Sequence, residues 1–124
     1  MNKAILLSSI AATICFSGCT QRVLDFTIVS TKNVDISKMA DLKRGTGRVK
    51  GEDMRHIIMF IPAGQPSAKT AMDKAIESVP GAVALTDGVV TSNFWWIPYI
   101  YGQTRFEVEG TPLIDPNIEK TYKK

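Results

Sequence analysis

The stretch HIIMFIPAGQPSAKTAMDKAIESVPGAVAL, residues 56–85, decides how the chain reads as a fold. Its opening, His56-Ile57-Ile58-Met59-Phe60-Ile61, is a nearly continuous apolar run stopped by Pro62. It is short enough for a strand and apolar on both faces, as a buried mid-sheet strand is. Pro62-Ala63-Gly64-Gln65-Pro66 is a turn cluster that delivers the chain to Ser67, a good helix N-cap. Ala68, Ala71, Met72, Ala75, Ile76 and Val79 then recur at the spacing of one helical face. Lys69, Asp73, Lys74 and Glu77 take the opposite face, with Lys69 and Asp73 spaced to pair. Pro80-Gly81 ends the helix, because proline cannot continue it and glycine tolerates a left-handed cap. Ala82-Val83-Ala84-Leu85 opens a strand at once. Strand, helix and strand joined by short connections predict a right-handed crossover between parallel strands, with the alanine stripe lying close on one sheet face.

Upstream of this unit, Leu24, Phe26 and Ile28 alternate with polar residues and predict a first strand over residues 23–30. Val34-Asp35-Ile36 extends it around a turn, and residues 37–42 read as a short helical turn. Residues 43–51 crowd Lys43, Arg44, Arg48 and Lys50 among Gly45, Gly47 and Gly51. A phosphate loop needs its glycines between a strand and a helix, at a spacing that is not present here. The segment reads as a solvated loop, with weak contact to anionic lipid or glycan phosphates as the alternative. Downstream, residues 89–100 are mostly apolar, and Thr104-Arg105-Phe106-Glu107-Val108-Glu109-Gly110 alternates as a half-exposed antiparallel strand does. The expected architecture is α+β: a single small domain with one amphipathic helix packed on a mixed sheet of about four to five strands.

The N-terminus has the shape of a signal peptide. Lys3 gives a positive start, and residues 4–16 are apolar apart from Ser8, Ser9 and Thr13. The run falls short of the about 20 residues a spanning helix needs. Phe16-Ser17-Gly18-Cys19 resembles the lipobox of bacterial lipoproteins, with Phe16 where leucine is usual. The resemblance implies cleavage before Cys19 and acylation of that cysteine. Two or three acyl chains would hold the domain firmly, since each buried methylene contributes about 0.8 kcal/mol. The expected divisions are a signal peptide over 1–18, a lipidated tether over 19–22, the α+β domain over 23–116 and a flexible tail over 117–124. With Cys15 removed and Cys19 acylated, no thiol is left for a disulfide or a thiolate site.

Fifteen Lys and Arg against twelve Asp and Glu give a formal charge of +3, and the basic residues are scattered. That is no footprint for nucleic acid. Glu52, Asp53 and the sole histidine, His56, are the one place where acidic groups and histidine meet in sequence. A metal site would need further ligands and a hydrolase would need a nucleophile. The trio reads as a polar turn before a strand, so neither enzyme chemistry, nor a metal, nor a cofactor is expected.

Phe94-Trp95-Trp96-Ile97-Pro98-Tyr99-Ile100-Tyr101 has the most unusual composition in the chain. Read as a strand, it points Phe94, Trp96 and Ile100 one way and Trp95, Ile97, Tyr99 and Tyr101 the other. One covering helix buries one face, so the other set is expected as a contact surface, for a second copy of the chain first, and otherwise for lipid, a glycan, a small apolar ligand or an envelope protein. Trp95, Trp96, Tyr99 and Tyr101 are the candidate interaction residues.

Gly51-Glu52, the apolar strand, Gly64, the alanine-rich helix and Ile100-Tyr101-Gly102 before a Val-Glu-Gly strand end resemble small, TRL-like bacterial lipoproteins of uncharacterised role. The likeness runs from Gly51 to Gly110 and rests on structural glycines and apolar positions. It implies an envelope lipoprotein of unknown role, with no catalytic residues to carry over. Together with the aromatic strand, the expected function is a non-enzymatic, membrane-anchored structural or protein-interaction module, with a small-ligand or glycan binder as the alternative. Thr20 after the cysteine, where the resembled class commonly uses Asp for inner-membrane retention, implies the outer membrane, facing the periplasm. Thr121-Tyr122-Lys123-Lys124 is also similar to the end of the murein lipoprotein, which would make Lys124 a residue joined to peptidoglycan.

Overall fold

The structure, a computed structural model, describes residues 18–122 together with Lys3. The strands are β1 (Gly18–Val29), β2 (Lys43–Arg44), β3 (Val49–Ile58), β4 (Ile61–Pro62), β5 (Ala82–Ile97) and β6 (Tyr101–Ile114). They form one sheet in the order β1-β5-β6-β3-β4, with β2 pairing the far end of β6. Every pairing is antiparallel. Among residues 18–122, two short helices, α1 (Ala68–Glu77) and α2 (Pro116–Tyr122), and one 3-10 turn (Ile36–Asp41) complete it.

This corrects the α+β expectation. The six-stranded sheet takes 53% of the described residues, and no parallel pair is present among the described strands. Strands β3 and β5 do run in the same direction on either side of α1, but β6 lies between them and pairs with both. The reason is local. β5 turns back through residues 98–100, so β6 zips along its edge from Ile97↔Tyr101 to Ala82↔Ile114 and takes the place next to β5. A hairpin closes with a few residues, whereas β3 is reached only across the helix.

The helix forms where its periodicity predicts. Ser67 is the N-cap, its hydroxyl accepting from Thr70 N–H, while the Asp53 carboxylate on β3 accepts the Ser67 N–H at 2.8 Å. Ala71, Ala75 and Ile76 are fully buried against Leu85, Val90 and Val108. Gly51 shows how close the approach is: a Cβ there would lie 2.1 Å from the Ala71 carbonyl oxygen and 2.4 Å from Ala75 N. Gly81, at φ +80, makes the left-handed exit.

Four further expectations are corrected. Residues 56–61 are not a buried mid-sheet strand: β3 starts at Val49, and Ile58 to Ile61 form an exposed hairpin tip. The glycine-rich segment 43–51 is not one loop, since Lys43 and Arg44 pair with Ile114 and Leu113 and residues 49–51 belong to β3. Residues 19–22, expected as a tether, are paired strand in β1. The tail carries α2, with Asp115 accepting from Asn117 N–H at its start.

Candidate interaction surface

Strands β3 and β5 both finish at the same end of the sheet. Ile58 is opposite Tyr101, and Tyr101 is opposite Ile97, so the β3–β4 turn (residues 59–60) and the β5–β6 turn (residues 98–100) lie side by side. The two turns touch. Met59 N–H donates to the Ile100 carbonyl at 3.4 Å, and Phe60 meets Tyr99 edge to face with centroids 5.1 Å apart. Ile61 is 76% exposed, Tyr99 71% and Ile100 66%, and Ile58, Met59 and Phe60 are each more than half exposed. Met59 at φ 57 and Tyr99 at φ 66 both occupy the left-handed region. For such side chains that conformation costs roughly 1–2 kcal/mol each, and glycine or asparagine is the usual occupant.

The aromatic run is therefore a hairpin and not one strand, which corrects the two-face assignment beyond Ile97. Up to that point the alternation holds. Trp96 shares the helix-covered face with Val90 and Val108 and lies over Gly102, where a Cβ would come within 2.6 Å of Trp96 Cδ1. Its Nε1 is the one buried side-chain polar atom without a hydrogen-bond partner among the described residues. Trp95 is on the opposite face, where Nε1–H donates to Gln103 Oε1 at 2.8 Å and the ring stands edge-on to Tyr101 at 5.4 Å. The Tyr101 hydroxyl is hydrogen-bonded to His56 Nδ1. Tyr99 belongs to the tip itself.

Away from this end, the uncovered face is charged and not aromatic. Arg48 reaches Glu109 at 2.7 Å, Lys50 reaches Glu107 at 3.2 Å and Glu109 at 3.5 Å, and Arg105 reaches Glu52 at 3.2 Å. The Arg48 hydrogen bond holds the Glu109 carboxyl below its ordinary range, and the Glu107 hydrogen bond raises the Lys50 ammonium. The contact surface expected of the aromatic run is thus confined to one end of an otherwise polar face.

Cys19 is exposed and opposite Phe94, close to that apolar end. Lys124 and nearly all of the leader lie outside the described residues. The Glu52-Asp53-His56 trio is divided by strand alternation, with Asp53 under the helix and Glu52 and His56 on the other face. Asp53 is buried, its carboxylate 3.6 Å from Arg55 and 3.8 Å from Lys74, and its work is to fix the start of α1. Sequence reasoning missed that role, although an acidic residue on the helix-facing side of β3 was the available signal. Among the described residues no group of three or more His, Cys, Asp or Glu is placed to hold a metal. A depression of about 490 Å³ lies beside the C-terminal end of α1, lined by Lys32, Glu77, Val79 and Ile118 among others, and none of the aromatic residues contributes to it. Comparison of the chain with protein-family models, with curated proteins and with solved structures finds no match.

Proposed function

We propose that this chain is a non-enzymatic lipoprotein of the TRL-like kind, anchored through Cys19 in a bacterial outer membrane, whose β-rich domain acts as a structural or interaction module. The observation that carries the reading is the position of Cys19. Its thiol is exposed at the very start of the first strand, directly after a leader with the length and composition of a signal peptide. Gly51 and Gly102, two of the glycines on which the family resemblance rests, lie where a Cβ would clash with the helix and with Trp96. That fits motifs selected for packing more than for chemistry.

The test is metabolic labelling with a fatty-acid analogue, followed by analysis of the mature N-terminus. Label on the wild type, lost in Cys19→Ala, and a chain starting at residue 19 are expected. Label retained by the variant, or a mature chain starting elsewhere, overturns the assignment. Density fractionation should recover the protein with outer-membrane markers.

A further inference from the structure

We infer that the paired hairpin tips, Met59-Phe60 and Pro98-Tyr99-Ile100, are a membrane-docking surface that enters the interface of an anionic phospholipid bilayer. The inference rests on the lipoprotein reading for its anchor, and on three observations about the chain for everything else.

The first is where the chain leaves the fold. Gly18 is opposite Trp95 and Cys19 opposite Phe94, while the tips begin just past Ile97. Because residues 19–22 are paired strand, no spacer separates the acylated cysteine from the sheet. From Phe94 to Ile97 the strand descends three residues, about 10 Å at its usual rise. A cysteine held at headgroup level thus puts the tips about 5–10 Å deeper, the depth to which interfacial protein segments bury their apolar faces.

The second is composition. Residues 57–66 and 93–103 hold no charged side chain. Along β3 and β6 the first charge met on moving back from the tips is an arginine, Arg55 and Arg105, with the Asp53 carboxylate just behind them; on β1 it is Arg22, level with Glu52 and Glu107. Trp95 and Tyr101 stand just behind the tips, at the level where indole and phenol rings line a bilayer surface. An apolar end, an aromatic rim and then arginine is the order of groups that an anionic interface favours.

The third is the backbone. Met59 and Tyr99 adopt left-handed conformations that glycine or asparagine would accept without strain, yet both present large apolar side chains to the outside. A bilayer contact accounts for apolar groups at positions where folding alone favours small or polar ones.

The experiment uses the protein as cells make it, purified from membranes and reconstituted into vesicles of phosphatidylglycerol and phosphatidylcholine, with and without bromine on the acyl chains. Phe60→Trp reports on the tip. Bromine on the upper acyl positions should quench most of the emission added by this residue, and its spectrum should shift to the blue. In the same background, Ile61→Asp with Ile100→Asp should abolish both effects while leaving the thermal midpoint and the Cys19 label unchanged, because both positions are exposed.

Unquenched, red emission from a labelled wild-type background overturns the tip proposal and leaves the lipoprotein reading intact. Quenching without label at Cys19 supports the tip and overturns the anchor. Crosslinked dimers through residue 60, lost in the double aspartate variant and accompanied by no quenching, would assign the surface to a second copy of the chain and overturn the bilayer contact.

Discussion

The two ends of the sheet treat apolar residues in opposite ways. Under α1 the fully buried side chains are Ala71, Ala75, Ile76, Leu85, Val90 and Val108, none of them aromatic. At the other end Ile58, Met59, Phe60, Ile61, Tyr99 and Ile100 are bulkier on the whole and more than half exposed. Apolar area alone therefore does not locate the core. At Gly51 the helix backbone lies so close to the sheet that not even a methyl group fits between them, and larger side chains such as Leu85, Val90 and Phe106 pack around that contact.

The largest expected effect tests the close contact. Ala75→Arg forces a long charged side chain into a fully buried site, and Gly51→Ala puts a methyl against the helix backbone; each should cost several kcal/mol, at least about 3, in denaturant melts. Ile61→Ser, though it removes a far larger apolar group than Ala75 carries, should stay within about 0.5 kcal/mol. Comparable losses at residues 61 and 75 would erase the distinction between the two ends.

Next come the neighbouring tryptophans, which sit on opposite faces of β5. Trp96→Ala should destabilise by about 3 kcal/mol because the ring fills space over Gly102. Trp96→Phe should cost much less, since it removes an indole nitrogen that has no partner. Trp95→Ala should cost about 1 kcal/mol, from its hydrogen bond to Gln103 and its contact with Tyr101. Equal and severe losses at both positions would mean that the aromatic end is core. Asp53→Ala, which strands the Ser67 N–H and two nearby cations, should fall between these at about 2 kcal/mol.

The helix was legible in the sequence because its cap, its stripe and its stop are all local signals. Ser67, Ala71, Ala75, Ile76 and Gly81 each do what their spacing implies. The sheet was less legible. A continuous apolar run normally marks a buried strand, and residues 57–61 imitate one, yet Met59 and Phe60 form the turn. Neither hairpin carries the glycine or asparagine that usually announces a tight turn, so the strand ends at Ile58 and Ile97 had no turn signal beyond Pro98. The place of β6 between β3 and β5 depends on pairing remote in sequence, which periodicity cannot report. Of the candidate residues, Trp95 and Trp96 do lie on opposite faces of β5, as alternation implies, whereas Tyr99 lies in the turn past the end of that strand at Ile97.

The smallest expected effect concerns the charged middle of the uncovered face, which separates the two ends. The Glu109 carboxyl is held below its ordinary value of 4.5, first by the hydrogen bond from Arg48 and further by the Arg48 and Lys50 charges, despite some burial that opposes this. Asp73 is held below 3.8, first by Lys69 and then by the Thr31 hydroxyl. A carboxyl whose pKa is lower in the folded chain than in the unfolded one adds stability above its unfolded value, and that contribution is lost as pH falls through the folded value. Both groups are partly solvated, so the contribution is small. The wild-type denaturation midpoint should therefore exceed that of Glu109→Gln at neutral pH, and the two should converge as the pH is lowered below about 4. A difference that stays constant from neutral pH to pH 2 would place the effect of residue 109 in packing, and would leave the polar face with no electrostatic share in joining the buried end of the sheet to the exposed one.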